Sequence, residues 1–269
     1  MKLAMFGATG TVGSALVGKA LAAGHELRVL ARTPTKLTGT DSRLTVIAGN
    51  AKDPGAVRRT VAGTDAVVSM LGGFADPDSI RIGTALITAA MGDAGLRRVV
   101  IVQGFHLDFP GDPGNLGRKL ILPMLRLGSR ALIADSRAMA TAVRASGLDW
   151  TVVRAPRITR GESTGAARVG ALAIGPWNSV VNADVADLVL RCLDDPATIG
   201  TAPMIASGSG SGRAGRPTLG VLRTLHDIVR PPSSPRPPAH DADALLAGQR
   251  ADRIPPSSPD PANLPGALR

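Results

Sequence analysis

The chain has 269 residues, enough for one large domain or two small ones, and 44% of them are hydrophobic, ample for a buried core. Its 31 Lys and Arg against 21 Asp and Glu give a net charge of +10, of which +7 falls on residues 1–207 and +3 on residues 208–269. With aromatics at 2% and tyrosine absent, this thin spread is not a nucleic-acid surface, which clusters its cations and interleaves rings for stacking.

Glycines and Lys19 break the apolar N-terminal stretch, so neither a signal peptide nor a membrane span is expected. A lone cysteine, Cys192, has no partner for a disulfide within the chain, and a reducing, cytoplasmic setting is the expectation. The expected partner is a small-molecule acceptor, with neither nucleic acid nor membrane, and nothing in the sequence fixes an oligomeric state.

Read in chain order, short β-branched runs alternate with small-residue stretches at helical spacing, as in a parallel sheet with crossover helices. Strands are predicted at Lys2–Phe6, Glu26–Ala31, Leu44–Ala48, Ala66–Leu71, Arg98–Val102, Trp150–Arg154 and Ala202–Ala206. Helices are predicted at Thr11–Ala23, Ile80–Gly92, Ser129–Ser146 and Asp184–Leu193, the first with Val12, Ala15, Leu16 and Ala20 on one face and Gly24 as its stop. Seven strands so connected make a doubly wound Rossmann sheet of the α/β class. Residues 1–207 are read as one domain. After Ser207 the composition turns to SGSGSG, RPPSSPRPP and IPPSSPDP, so residues 208–269 are expected to be a largely disordered tail. Leu219–Val229 is a short amphipathic stretch within it.

The first predicted strand runs directly into GATGTVG, residues 7–13, and then into a helix. Such a junction gathers free backbone N–H groups and the positive helix end at one point, where a pyrophosphate fits. Gly7 permits the tight turn, Gly10 lets phosphates approach the backbone, and Gly13 lets helix and sheet pack closely. At the end of the second strand an acid would bind the ribose hydroxyl of NAD. Here no Asp or Glu stands between Glu26 and Asp41, whereas Arg32 and Lys36 are placed to take the 2′-phosphate of NADP(H).

These stretches, with VAGTDAVVSMLGG, GLRRVVIVQG, SGLDWTVVRAPRIT and NADVADLVLRCLDDP, resemble the atypical short-chain dehydrogenase/reductases of the NmrA-like and flavin (biliverdin B-type) reductase-like groups, over residues 1–206. The resemblance implies that Gly7, Thr9, Gly10, Thr11 and Val12 line the phosphate turn and that Arg32 and Thr33 bind the 2′-phosphate. It implies Asn50 beside Ala51 near adenine, and Leu71, Gly72 and Gly73 under the nicotinamide ribose. Ala155, Pro156 and Arg157 would close over the nicotinamide.

Relatives in the wider superfamily activate a carbonyl with a Tyr and a Lys four residues apart, and this chain has no tyrosine. Gln103 at the fifth strand's end, His106 beyond it and Arg157 are the remaining candidates, for carbonyl binding, proton donation and anion binding respectively. Asp135 and Asp184 read as N-terminal helix acids or structural hydrogen-bonders, Asp184 standing where an N-cap would, Cys192 reads as inert core, and no histidine has metal-ligand spacing. Two functions follow: an NADPH-dependent reductase of a flavin, quinone or related conjugated carbonyl compound, or a non-catalytic NADP(H) sensor of the NmrA-like type that reports to a protein partner.

Overall fold

A computed structural model describes residues 1–37, 41–72, 78–113, 116–174 and 178–207, the side chains of 116–129 excepted. Gly73 and the predicted tail, residues 208–269, lie outside the described residues.

Eight strands form the main sheet: β1 (Lys2–Phe6), β2 (Glu26–Ala31), β3 (Leu44–Ala48), β4 (Ala66–Ser69), β5 (Arg98–Gly104), β6 (Asp149–Ala155), β8 (Arg168–Gly170) and β10 (Met204–Ala206). Their spatial order is β3-β2-β1-β4-β5-β6-β10-β8, parallel throughout except that β8 runs antiparallel to β10. Strands β7 (Arg157–Thr159) and β9 (Ser179–Val181) pair in a small second sheet. The helices are α1 (Thr11–Ala22), α2 (Pro54–Val61), α3 (Asp78–Asp93), α4 (Leu116–Ala145) and α5 (Asn182–Asp194). This is a Rossmann-like α/β fold.

The sheet separates two apolar layers, and period-two alternation assigns each strand residue to one of them. Leu3 and Met5 of β1, Val68 of β4 and Val100 of β5 pack with Leu16 of α1 and Val185 and Val189 of α5. Ala4, Phe6, Val67 and Ile101 point the other way, among residues of α2, α3 and α4 such as Val57, Ile87 and Met139. Strands covered on both faces need no polar side, which is why β1, β4 and β5 read as nearly unbroken apolar runs.

The differences from the sequence reading have physical causes. The antiparallel β8 and the small sheet arise from three-residue strands, too short to carry a period. Helix α4 begins thirteen residues before the predicted Ser129 and runs through Pro123 and Gly128, both poor helix formers. Helix α2 went unpredicted, although Asp53 caps it by accepting the Gly55 N–H at 2.8 Å and Pro54 occupies its first turn. Asp184 is not the N-cap, because α5 starts two residues earlier with Val181 in the cap position and no side-chain cap; it is a first-turn acid and a structural hydrogen-bonder, buried and accepting both the Thr164 N–H at 2.8 Å and its hydroxyl at 2.6 Å. Asp135 lies far from the start of α4, so it is not an N-terminal acid.

Candidate nucleotide-binding site

At the carboxyl edge of the sheet, β1 and β4 are neighbours whose following helices lie on opposite faces, and this topological switch opens a crevice. The chain leaves β1 at Gly7 with φ +81°, a conformation L side chains rarely adopt; a Cβ there would also meet the Met70 carbonyl oxygen at 2.6 Å. A Cβ on Gly13 would lie 2.3 Å from the Gly7 oxygen and 2.5 Å from the Ala8 Cα. These two glycines are therefore required by the fold itself. Gly10 differs: apart from its chain neighbours a Cβ there would meet only the Gly7 oxygen, at 3.2 Å, a tight contact but not a prohibitive one, and Gly10 itself is exposed. Gly10 is also the N-cap of α1 and has no side chain to cap it, so the first N–H groups of that helix face the crevice without a side-chain partner. Thr9 is exposed and Thr11 partly so, while Val12 turns into the core. A glycine cradle under uncapped helix amides fits a pyrophosphate.

Beyond β2, Arg32, Thr33 and Lys36 are all exposed, and neither cation has an ion pair or side-chain hydrogen bond among the described residues. Glu26 stands at the opposite end of that strand, 3.1 Å from Lys2. Asn50 is exposed, its side chain accepting the Lys52 N–H at 3.1 Å, with buried Ala51 beside it. Leu71 and exposed Gly72 follow β4; a Cβ on Gly83 of α3 would lie 2.6 Å from Leu71 and 3.3 Å from Ala51, so these two side chains meet under that helix.

The acceptor side, at the ends of β5 and β6, is built differently. Gln103 is buried; its amide NH2 donates to the Leu71 carbonyl at 3.1 Å, and its oxygen accepts from Ser136 of α4 at 3.5 Å. It thus ties β4, β5 and α4 together and is not a free carbonyl ligand. His106 folds back against Gly104, where a Cβ would lie 2.5 Å from its Nδ1, and its buried Nε2 has no hydrogen-bond partner. Burial, helped by the Arg137 charge, pushes this imidazole down to about 4, so it is neutral near pH 7 and is not a ready acid. Ala155 and Pro156 are buried. Arg157 is exposed at the start of β7, with no partner among the described residues. Of the three catalytic candidates, only Arg157 presents a free functional group.

Three residues went unremarked or misread in the sequence. Arg154 of β6 is 1% exposed and fully engaged: it pairs with Asp112, donates to the Leu107 carbonyl at 2.8 Å, and has its guanidinium 4.9 Å from the Phe109 ring centre. Burial opposes ionisation of Asp112, but the Arg154 guanidinium and the Phe109 N–H outweigh it and hold the carboxyl below its ordinary range. Asp135 is buried, with Arg81 Nε 3.5 Å from one oxygen and no hydrogen-bond partner for the other. Burial first, and the Asp78 charge second, push its carboxyl upward. Asn182 joins the phosphate turn to Gly161. An apolar strand interrupted by one arginine was the available signal for Arg154; nothing local marks Asp135.

Fold and crevice together define a dinucleotide-binding protein. The NAD(P)H-binding family profile matches residues 7–196, and the chain belongs to that family. A curated relative from Streptomyces griseus subsp. griseus, (4-alkanoyl-5-oxo-2,5-dihydrofuran-3-yl)methyl phosphate reductase, is 31% identical over 210 residues, which are 78% of this chain and 64% of that protein's length. Among solved structures, ChuY, an anaerobillin reductase from Escherichia coli O157:H7, superposes with a TM-score of 0.65 at 19% identity, covering 79% of this chain and 100% of that one. A short-chain dehydrogenase/reductase from Veillonella parvula in complex with NADP has a TM-score of 0.63 at 18% identity, covering 80% and 96%. No described helix is long and apolar enough to cross a membrane.

Proposed function

We propose that this protein is an NADPH-dependent reductase that delivers hydride to a conjugated acceptor, such as a flavin, a quinone or a related carbonyl compound. The observation that carries the reading is the unpartnered, exposed Arg32 at the end of β2, with Lys36 close in sequence and no carboxylate between Glu26 and Asp41. A guanidinium there recognises a 2′-phosphate bidentately, and an absent acid removes the usual ligand of an unphosphorylated ribose. The conjugated acceptor is supported by the Streptomyces relative, whose named substrate carries a ring alkene conjugated with two carbonyl groups.

When bound, NADPH supplies the hydride, and the chain's own work is binding and orientation. The Gly7–Gly13 turn receives the pyrophosphate. Gln103 fixes the Leu71 carbonyl under the nicotinamide ribose, so its role is positioning. Arg157 stands free beside Ala155 and Pro156, where it attracts an anionic acceptor; the phosphate in the relative's named substrate is of that kind. His106 is neutral near pH 7 with its Nε2 buried, so the proton that completes reduction comes from water.

A second reading, a non-catalytic NADP(H) sensor with a protein partner, is favoured by one observation: most polar groups on the acceptor side are committed to internal bonds. The deciding experiment is a screen of NADPH oxidation against flavins, quinones and conjugated lactones, each with and without a phosphate group. The reductase reading expects turnover with at least one planar conjugated acceptor and a gain from the phosphate. Tight NADPH binding with no turnover on any class would leave the sensor.

A further inference from the structure

Asn182 is the first residue of α5 and only 8% exposed, yet both ends of its side-chain amide are used. Its NH2 donates to the Thr11 carbonyl at 2.9 Å, and its oxygen accepts the Gly161 N–H at 3.1 Å. One partner is purely an acceptor and the other purely a donor, so the amide can be oriented only one way.

The Thr11 carbonyl and the Val12 N–H are the two ends of one peptide group. A hydrogen bond received at the oxygen polarises that group and makes its N–H a stronger donor. Val12 belongs to the first turn of α1, where N–H groups have no partner within the helix and Gly10 supplies no side-chain cap. Asn182 therefore acts on the phosphate turn from behind: it strengthens one of the amides facing the anion and fixes the direction in which it points.

Its other bond reaches a segment that is fastened several times over. Ser163 donates to Asp187, which Lys19 of α1 contacts at 2.7 Å, and Thr164 is held by Asp184. Those contacts anchor the segment to the helices. Asn182 alone among them reaches the phosphate turn.

We propose that Asn182 is a positioning residue of the dinucleotide phosphate site, setting the donor strength and aim of the Val12 amide through the Thr11 carbonyl. The proposal rests on the family's nucleotide binding and not on the reductase reading, so absence of turnover would not touch it.

Calorimetric titration of the full chain with NADPH and with adenosine 2′-monophosphate, which has no pyrophosphate, tests it. In Asn182→Ala the NADPH dissociation constant should rise about twofold to fivefold, the effect of weakening one amide–phosphate hydrogen bond by its cooperative share rather than of removing it. Asn182→Asp keeps an acceptor for Gly161 but offers no donor to Thr11 and adds negative charge, so it should bind NADPH more weakly than the alanine variant. Adenosine 2′-monophosphate should bind all three proteins equally. Unchanged NADPH affinity in Asn182→Ala, or a parallel loss of both ligands, overturns the proposal. If the variants do not fold, the wild-type protein decides by nuclear magnetic resonance. NADPH should shift both the Val12 amide and the Asn182 side-chain NH2, and adenosine 2′-monophosphate neither. An Asn182 signal unmoved by NADPH overturns the proposal equally.

Discussion

The two halves of the crevice use their polar groups in opposite ways. Around β1 and β2 the groups face outward without internal partners: uncapped amides under Gly10, and the exposed Arg32 and Lys36. Around β5 and β6, the exposed Arg157 apart, they face inward. Arg154 is closed on Asp112 and two carbonyls, Gln103 on Leu71 and Ser136, and His106 packs against Gly104 with its charge suppressed. A group left unpaired at the surface lowers stability little and remains available to a ligand, whereas a buried polar group must be satisfied by the protein itself. Substitutions on the nucleotide side should therefore cost binding, and substitutions on the acceptor side should cost stability.

The largest effect should come from opening the buried ion pair. Asp112→Ala leaves the Arg154 guanidinium, 2% exposed, without its carboxylate, and removing one partner of such a pair costs about 3–5 kcal/mol. The urea midpoint should fall accordingly, while any protein still folded should bind NADPH with unchanged affinity. A small shift in midpoint would mean that Arg154 is not a structural residue, and the contrast between the two halves would fail.

The opposite pattern is expected for Arg32→Ala. One charge-assisted bidentate contact is worth roughly 1.5–3 kcal/mol, so the preference for NADPH over NADH should shrink about tenfold or more. The thermal midpoint should stay put, since Arg32 is exposed and makes no ion pair or side-chain hydrogen bond among the described residues. Calorimetry with both nucleotides, beside a melting curve, checks both halves of the statement. Equal affinities for the two nucleotides in the wild type would remove the basis for an NADPH reading.

What the sequence made legible follows the same division. The phosphate turn depends on Gly7 and Gly13, whose need for glycine is local: a positive φ at one, backbone contact within six residues at the other. Local requirements leave local marks. The parallel strands were legible for a related reason, because burial on both faces writes nearly unbroken apolar runs such as AVV and VVIV. The acceptor side depends instead on contacts across 32 to 42 residues, Gln103 with Leu71 and Arg154 with Asp112, and no spacing in the chain announces them. Asp135 meets Arg81 only because α3 and α4 pack together, and Asn182 meets Thr11 across 171 residues. The free arginine and the buried one look alike until the fold shows that Arg157 ends outside and Arg154 inside.

The finest test concerns His106, the one acceptor-side residue whose charge state separates a structural role from a catalytic one. Its unfolded imidazole titrates near 6.5, and in the folded protein burial, with the Arg137 charge, brings it to about 4. As pH falls through about 6.5 the unfolded chain takes up a proton that the folded chain refuses until about 4. Stability associated with this group is thus complete above the unfolded value and is lost across that interval. The depressed carboxyls, Asp112 among them, lose stability at lower pH still. Asp135, whose carboxyl is raised, has the opposite sign: its ionisation is disfavoured by folding, so its contribution weakens as pH rises. A single wild-type curve mixes these contributions, and the informative quantity is the difference from His106→Gln. That variant should melt with a flatter dependence between pH 6.5 and 4 while retaining turnover at neutral pH within a few-fold. If His106→Gln instead leaves the acid slope unchanged and abolishes turnover with NADPH affinity intact, the imidazole is the proton donor. The acceptor side would then contain a group that serves chemistry despite being closed against solvent.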